Sequence, residues 1–142
     1  MRRLAALAAL VLVAGCGSSG GDKGKYVKAG NDICNAYAND IAKLGQPATL
    51  TQIGPYLAKA MPLLERVVAR LEKLDPPSDL ADDYQKFRDA AKATVDRATH
   101  LRTAAEAGDT AEVTALLAEA AKASADRVTL AKAAGLEACA KL

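Results

Sequence analysis

Residues 53–74 read IGPYLAKAMPLLERVVARLEKL, and the spacing of their apolar side chains decides the fold. Apolar residues recur every three or four positions, at Ile53, Leu57, Ala60, Met61, Leu64, Val68 and Leu71. This spacing matches the turn of an α-helix and predicts one buried face. Thr49 or Thr51 is the predicted N-cap. Pro62 removes one backbone hydrogen bond inside the helix and is expected to bend it.

Three further stretches have the same helical spacing. The first carries its apolar face at Tyr26, Ile33, Tyr37, Ile41 and Leu44. The next carries it at Leu80, Tyr84, Phe87, Ala91, Thr94, Val95, Ala98 and Leu101. The last carries it at Val113, Leu116, Leu117, Ala120, Ser124, Val128 and Ala131. Each stretch therefore predicts a helix that packs through one side.

Turn residues separate these helices. Gly45, Gly108 and Gly135 are the predicted C-terminal stops, because glycine adopts the left-handed conformation of a helix C-cap. Ser78, after a Pro-Pro corner, and Thr110 are the predicted N-caps of the third and fourth helices. Four amphipathic helices with short connections predict an all-α fold, an antiparallel up-down-up-down four-helix bundle.

The N-terminal segment has the order of a secretory signal. Arg2-Arg3 precede an apolar run from Leu4 to Val13, and small residues follow it. The run is too short for a transmembrane helix, which needs roughly 20 apolar residues. Val13-Ala14-Gly15-Cys16 resembles the lipobox of bacterial lipoproteins.

This resemblance implies a cut before Cys16, which would then carry a diacylglycerol and usually a further acyl chain. Residues 1–15 are accordingly the predicted signal peptide, and residues 16–25, rich in Gly and Ser, the predicted lipidated flexible tether. The bundle domain is predicted over residues 26–142. We expect a protein anchored by lipid on the extracytoplasmic face of a membrane, because two or three acyl chains hold firmly.

The two remaining cysteines are Cys34 and Cys139. Export to an oxidising compartment favours a disulfide between them, which would join the first helix to the segment after the fourth. The alternative is a metal or redox role, which the distance along the chain and the absence of a CxxC motif disfavour.

Two charged residues lie on or near apolar helix faces. Arg127 falls on the face of the fourth helix, and Asp40 lies at the edge of the face of the first. Because their heights above the proposed disulfide are similar, we expect a buried Asp40–Arg127 ion pair; the alternative is that Arg127 extends to solvent. Residues 90–99 and 120–129 agree at seven of ten positions, which indicates either a duplicated helix or, more simply, convergence.

The whole arrangement resembles small actinobacterial lipoproteins: a lipobox, a Gly/Ser tether, Ile33-Cys34, a Pro-Pro corner and Gly135-Leu136 before Cys139. The resemblance spans the chain but carries over no catalytic or binding residue.

No catalytic pattern is found. His100 is the only histidine and is predicted to lie on the surface, and no CxxCH motif occurs. No metal or other cofactor is expected. Without Arg2 and Arg3 the 19 basic residues become 17, equal to the 17 acidic residues, so nothing favours nucleic-acid binding.

Two functions follow from these observations. The first is a non-enzymatic, membrane-anchored helical bundle that binds an envelope protein or supports the envelope. The alternative is a lipoprotein that holds a lipid or other apolar molecule between its helices. Its candidate polar contacts are Tyr26, Tyr37, Tyr56 and Tyr84, which otherwise are ordinary core or rim residues.

Overall fold

A computed structural model describes residues 21–142. The predicted signal peptide, Cys16 and most of the predicted tether lie outside these residues. Within them the chain forms four α-helices and no strand: α1 (Lys23–Ala42), α2 (Ile53–Leu71), α3 (Ala81–Glu106) and α4 (Thr110–Ala133). Short 3-10 turns occupy Leu50–Gln52 and Cys139–Lys141. The predicted all-α class is confirmed.

Helix α1 begins inside the segment predicted as a tether. Asp22 is its N-cap and accepts a hydrogen bond from the Lys25 amide at 2.9 Å, which holds the pKa of the Asp22 carboxyl below its usual range. The prediction of a flexible tether up to residue 25 is therefore wrong over its last three residues. An acceptor at the right position is sufficient to start a helix despite the neighbouring glycines.

The predicted C-terminal stops are confirmed, whereas the predicted N-caps are wrong. Gly45, Gly108 and Gly135 have φ of 70°, 71° and 73°. Asp109, not Thr110, caps α4 by accepting from the Glu112 amide at 3.0 Å. N-caps depend on the backbone angles of one residue, so neighbouring polar residues compete for the position.

The starts of α2 and α3 lack a side-chain cap. Thr49 precedes the Leu50–Gln52 turn, and its hydroxyl bonds to that of Thr51 at 3.0 Å. Ser78 lies three residues before α3, because the chain first makes a turn in which the Leu80 amide donates to the Pro77 oxygen at 2.9 Å. Helix α2 continues through Pro62.

The buried side chains form two clusters. The larger, here called the disulfide-end core, joins α1, the end of α2, the start of α3 and the C-terminal segment, and includes Tyr26, Ile33, Leu71, Phe87, Leu136 and Cys139. The smaller, here called the far core, consists of Ile53, Leu57, Leu101, Ala104 and Val113. Helix α1 contributes no buried residue to the far core, so only three helices pack there.

Consecutive helices pack on one another, whereas α1 and α4 hardly approach each other. Of the faces predicted to be buried, that of α2 is buried throughout, while α4 buries only Val113 and Ala131. Leu117 on α4 is 38% exposed. The middle of α4 and the second half of α1 therefore line an opening in the bundle.

The Cys34–Cys139 disulfide is confirmed, with a Cα–Cα distance of 5.1 Å. It attaches α1 to the turn after α4, and both cysteines are fully buried. Close by, Tyr26 Oη donates to the main-chain oxygen of Ala134 at 2.9 Å. These bonds close the bundle at one end only.

Candidate functional site

The opening between α1 and α4 exposes a cleft between α3 and α4, here called the arginine cleft, of about 120 Å³. Its walls are mostly apolar, at Leu57, Ala98, Leu101, Leu116 and Ala120. Four polar side chains complete them, at Thr94, Arg97, Ser124 and Arg127. Guanidinium groups thus lie beside an apolar surface.

Two larger grooves adjoin the arginine cleft. The loop groove, of about 510 Å³, lies under residues 47–50 and shares Leu57 and Leu101 with the cleft. The α1 groove, of about 380 Å³, lies along Tyr37 and Ile41 and shares Arg127. Sites for small ligands in proteins measure about 300–1,000 Å³. Each groove is within that range.

The Arg97 guanidinium is positioned by its own helix. Its Nη2 donates to Thr94 Oγ1 at 3.2 Å, and Thr94 Oγ1 donates to the Ala90 main-chain oxygen at 3.0 Å. The Thr94 hydroxyl therefore orients the Arg97 guanidinium, whose other N–H groups are available to bind a ligand.

Arg127 is positioned in a similar way. Its Nη2 donates to Ser124 Oγ at 3.3 Å and to the main-chain oxygen of Leu142 at 3.0 Å. Its Nε is buried and has no hydrogen-bond partner within residues 21–142. Burial, followed by the nearby charge of Arg97, lowers the pKa of Arg127, while Tyr37 acts in the opposite direction.

The predicted Asp40–Arg127 ion pair is wrong. Asp40 instead binds Lys43, with Nζ 2.9 Å from Oδ1, and this contact holds the pKa of Asp40 below its ordinary value. Asp40 lies near the end of α1 and lines a small groove with Leu63 and Arg66 of α2. Similar height along two helices did not bring the side chains together, because Asp40 lies on the face of α1 beside α2, whereas Tyr37 and Ile41 are the residues of α1 that share a groove with Arg127.

The four tyrosines divide into two pairs. Tyr26 and Tyr84 belong to the disulfide-end core, where their rings meet edge to face at 5.4 Å and Tyr84 Oη donates to the Leu71 main-chain oxygen. Both are buried and line none of the clefts described, so they are not part of the candidate site.

Tyr37 and Tyr56 are half-buried and line the grooves. Tyr37 lies in the α1 groove with Arg127, and Tyr56 lies in the loop groove. Burial is the main cause that raises the pKa of Tyr37, and nearby Tyr56 adds to it. Tyr37 and Tyr56 are therefore the two tyrosines whose hydroxyl groups a ligand in these grooves can contact.

The described part of the chain contains no candidate metal site and no buried histidine. Residues 21–142 contain no cluster of three His, Cys, Asp or Glu side chains that could hold a metal ion. His100 is exposed, as predicted. No helix within these residues is long and apolar enough to cross a membrane.

No family model, curated protein or solved structure matches this chain. Evidence for its function therefore comes from the clefts and the charged side chains that line them.

The sequence prediction missed Arg97. The signal for it was present in the similarity between residues 90–99 and 120–129, which aligns Thr94 with Ser124 and Arg97 with Arg127. In the structure both hydroxyl–arginine pairs line the same cleft. The similarity marked Arg97 as the counterpart of Arg127, which already lay on an apolar face.

Proposed function

We propose that this protein is a membrane-anchored lipoprotein of the extracytoplasmic face whose helical domain binds an apolar small molecule between its helices. The observation that carries this proposal is the loop groove of about 510 Å³, which shares the lining residues Leu57 and Leu101 with the arginine cleft. Apolar side chains left uncovered in a concave surface are favourable contacts for an apolar ligand.

The anchoring part of the proposal rests on the resemblance of Val13-Ala14-Gly15-Cys16 to a lipobox. The Cys34–Cys139 disulfide supports export, since such bonds persist in oxidising compartments. Replacing Cys16 by Ser is expected to release the protein from the membrane fraction and to remove the mass of the acyl groups.

The bundle order belongs to the proposal as well: we infer an up-down-up-down arrangement. Tyr84 near the start of α3 bonds to Leu71 at the end of α2, and Arg102 Nη1 lies 3.8 Å from Met61 Sδ. Tyr26 at the start of α1 bonds to Ala134 just after α4. Each contact supports antiparallel neighbours, and interhelical distances from NMR would test the order.

Binding of an envelope protein, or support of the envelope, is a second candidate. Leu50 and Leu117 are the exposed large hydrophobic residues of the described chain, at 41% and 38%, and both line the loop groove. A protein partner could cover the same surface. In either case we propose a binding function without catalysis, since the sequence has no catalytic motif.

The test is native mass spectrometry of the protein extracted without reductant from its own membranes. A small molecule retained by the acylated protein supports the ligand-binding function. Ala120→Trp should expel it, because Ala120 lines the arginine cleft. Ala118→Trp is the matched control, since Ala118 is exposed on the same helix. A retained protein, or a small molecule kept by the Ala120→Trp variant, would contradict the proposed ligand site.

A further inference from the structure

Arg97 and Arg127 bring two positive charges into one half-buried cleft. Neither forms an ion pair with an acidic side chain of residues 21–142, whereas other basic residues of the same helical domain do. On α3 itself, Lys92 pairs with Glu72 at 2.6 Å and Arg102 pairs with Glu106 at 3.2 Å. Eight other basic residues within residues 21–142 also lack an ion pair, but all eight are exposed, whereas Arg97 and Arg127 are half-buried.

No Asp or Glu side chain of the described chain compensates the two arginines, and the oxygen that Arg127 binds belongs to the terminal residue Leu142. No Asp or Glu lines the arginine cleft, the loop groove or the α1 groove, and the α1 groove adds a third cation, Lys141. Two like charges in a partly desolvated site repel, which is unfavourable unless an anion binds between them. The cleft is therefore complementary to a negative group.

The arginines also have donors to offer. A guanidinium carries five N–H groups in a planar fork that matches the oxygens of a carboxylate or phosphate. Arg97 uses Nη2 on Thr94, and Arg127 uses Nη2 on Ser124 and the Leu142 oxygen. The buried Nε of Arg127 lacks a partner. Hydroxyl groups hold both forks in place before a ligand arrives, which lowers the entropic cost of binding.

We infer that the ligand is an anionic amphiphile: a carboxylate or phosphate headgroup bound by Arg97 and Arg127, with an apolar tail in the loop groove. This inference rests on the proposed function. The two regions adjoin at Leu57 and Leu101, which line both. Fatty acids, phospholipids and free phosphate all carry such an anionic group. Fatty acids and phospholipids also have an apolar tail, which free phosphate lacks.

The experiment measures equilibrium binding to the full-length acylated protein in phosphatidylcholine nanodiscs, with empty nanodiscs as the blank. The probes are decanoate, decyl phosphate, decanol and decylamine, which share a tail and differ in the head, together with inorganic phosphate. Decanoate and decyl phosphate should bind at least about tenfold more tightly than decanol, because hydrogen bonds to charged groups are the stronger ones. Decylamine should bind more weakly still.

Arg97→Gln and Arg127→Gln should each weaken decanoate binding about tenfold or more while leaving decanol binding unchanged. Arg97 is the cleaner test, since its recorded bond lies within its own helix, whereas Arg127 also holds Leu142. Lys122→Gln is the matched control: Lys122 is exposed on α4, lines none of the three clefts, and its loss should change nothing. Circular dichroism establishes that each variant is folded.

The outcomes separate the two proposals. Equal affinity for decanoate and decanol, insensitive to Arg97→Gln, overturns the anionic headgroup but leaves an apolar ligand in place. Binding of inorganic phosphate as tightly as decyl phosphate, with loss in the arginine variants, keeps the anion site and removes the apolar tail, so the proposed function fails. If no decyl probe binds, both fail.

Discussion

Gly30 lies where α1 passes closest to the C-terminal segment. A Cβ at this position would be 2.5 Å from Cδ2 of Leu136, a side chain that is fully buried and cannot move aside. We expect Gly30→Ala to destabilise the protein by about 1–3 kcal/mol through overpacking, despite the better helix propensity of alanine. Chemical denaturation measures the change.

Gly54→Ala is the control for Gly30→Ala. A Cβ at Gly54 would meet its nearest neighbour at 3.6 Å, an ordinary contact, so this change should be neutral or stabilise by up to about 1 kcal/mol. Equal effects of the two substitutions would show that close packing at Leu136 does not govern position 30.

Tyr84 makes stability depend on pH in the alkaline range. Burial raises its pKa from 10.0 to about 12, with Glu72 adding to the shift and Arg88 opposing it. The folded state therefore favours the neutral phenol. Its contribution to stability is complete below pH 10 and is lost as the pH rises towards 12.

The measurement is the free energy of unfolding across this range for the wild type and Tyr84→Phe. The variant is expected to be less stable at neutral pH by about 1 kcal/mol, because the Leu71 oxygen loses one of its hydrogen bonds and keeps the one from the Leu74 amide. Its stability should fall less steeply between pH 10 and 12. If the unfolding free energies of the wild type and of Tyr84→Phe fall in parallel with rising pH, Tyr84 is not the group responsible for the alkaline loss of stability.

At the scale of the element, the start of α4 depends on one carboxylate. The Asp109 side chain accepts from the Glu112 amide at 3.0 Å. Asp109→Ala should cost about 0.5–2 kcal/mol, the usual range for loss of an N-cap. Thr110→Ala, one residue later, should cost under about 0.5 kcal/mol, since the hydrogen bond from the Thr114 hydroxyl goes to the main-chain oxygen of Thr110, which alanine keeps. Thermal unfolding compares the stabilities of the two variants. A larger loss of stability in Thr110→Ala would show that Thr110, not Asp109, is the N-cap.

Helix α4 also explains where the clefts arise. It is rich in alanine, buries only Val113 and Ala131, and packs against α3. Small side chains cover little area, so such a helix fills the space beside its neighbour incompletely. The uncovered middle of α4 carries Ser124 and Arg127, which places part of the charged wall of the arginine cleft on the helix with the fewest buried side chains.

For the whole molecule, the disulfide closes the bundle. Cys34 and Cys139 are 105 residues apart, and the chain-entropy relation gives about 4–5 kcal/mol for a loop of that length. We expect Cys34→Ser combined with Cys139→Ser to lower stability by roughly this amount. Since α1 and α4 hardly touch elsewhere, hydrogen exchange should rise most in α1 and the C-terminal turn.

The matched control is the wild type with and without reductant, which breaks the same bond without changing a residue. Uniform exchange through all four helices after reduction, or a loss under about 1 kcal/mol, would contradict the view that this bond is the main link between α1 and the C-terminal segment.

Local sequence was sufficient to predict the helices, their glycine stops and the cysteine pairing, because these depend on local periodicity, on backbone angles and on an even count of cysteines. Local pattern predicted which face of α4 is apolar. Whether another helix covers that face depends on how far α1 and α4 diverge, which no local pattern contains. Only the tertiary structure decided that Asp40 and Arg127 do not pair, that Tyr26 and Tyr84 are core residues, and that Arg97 and Arg127 meet in one cleft. The physical reason is that a buried face and a cleft wall have the same spacing in sequence and differ only in what packs against them.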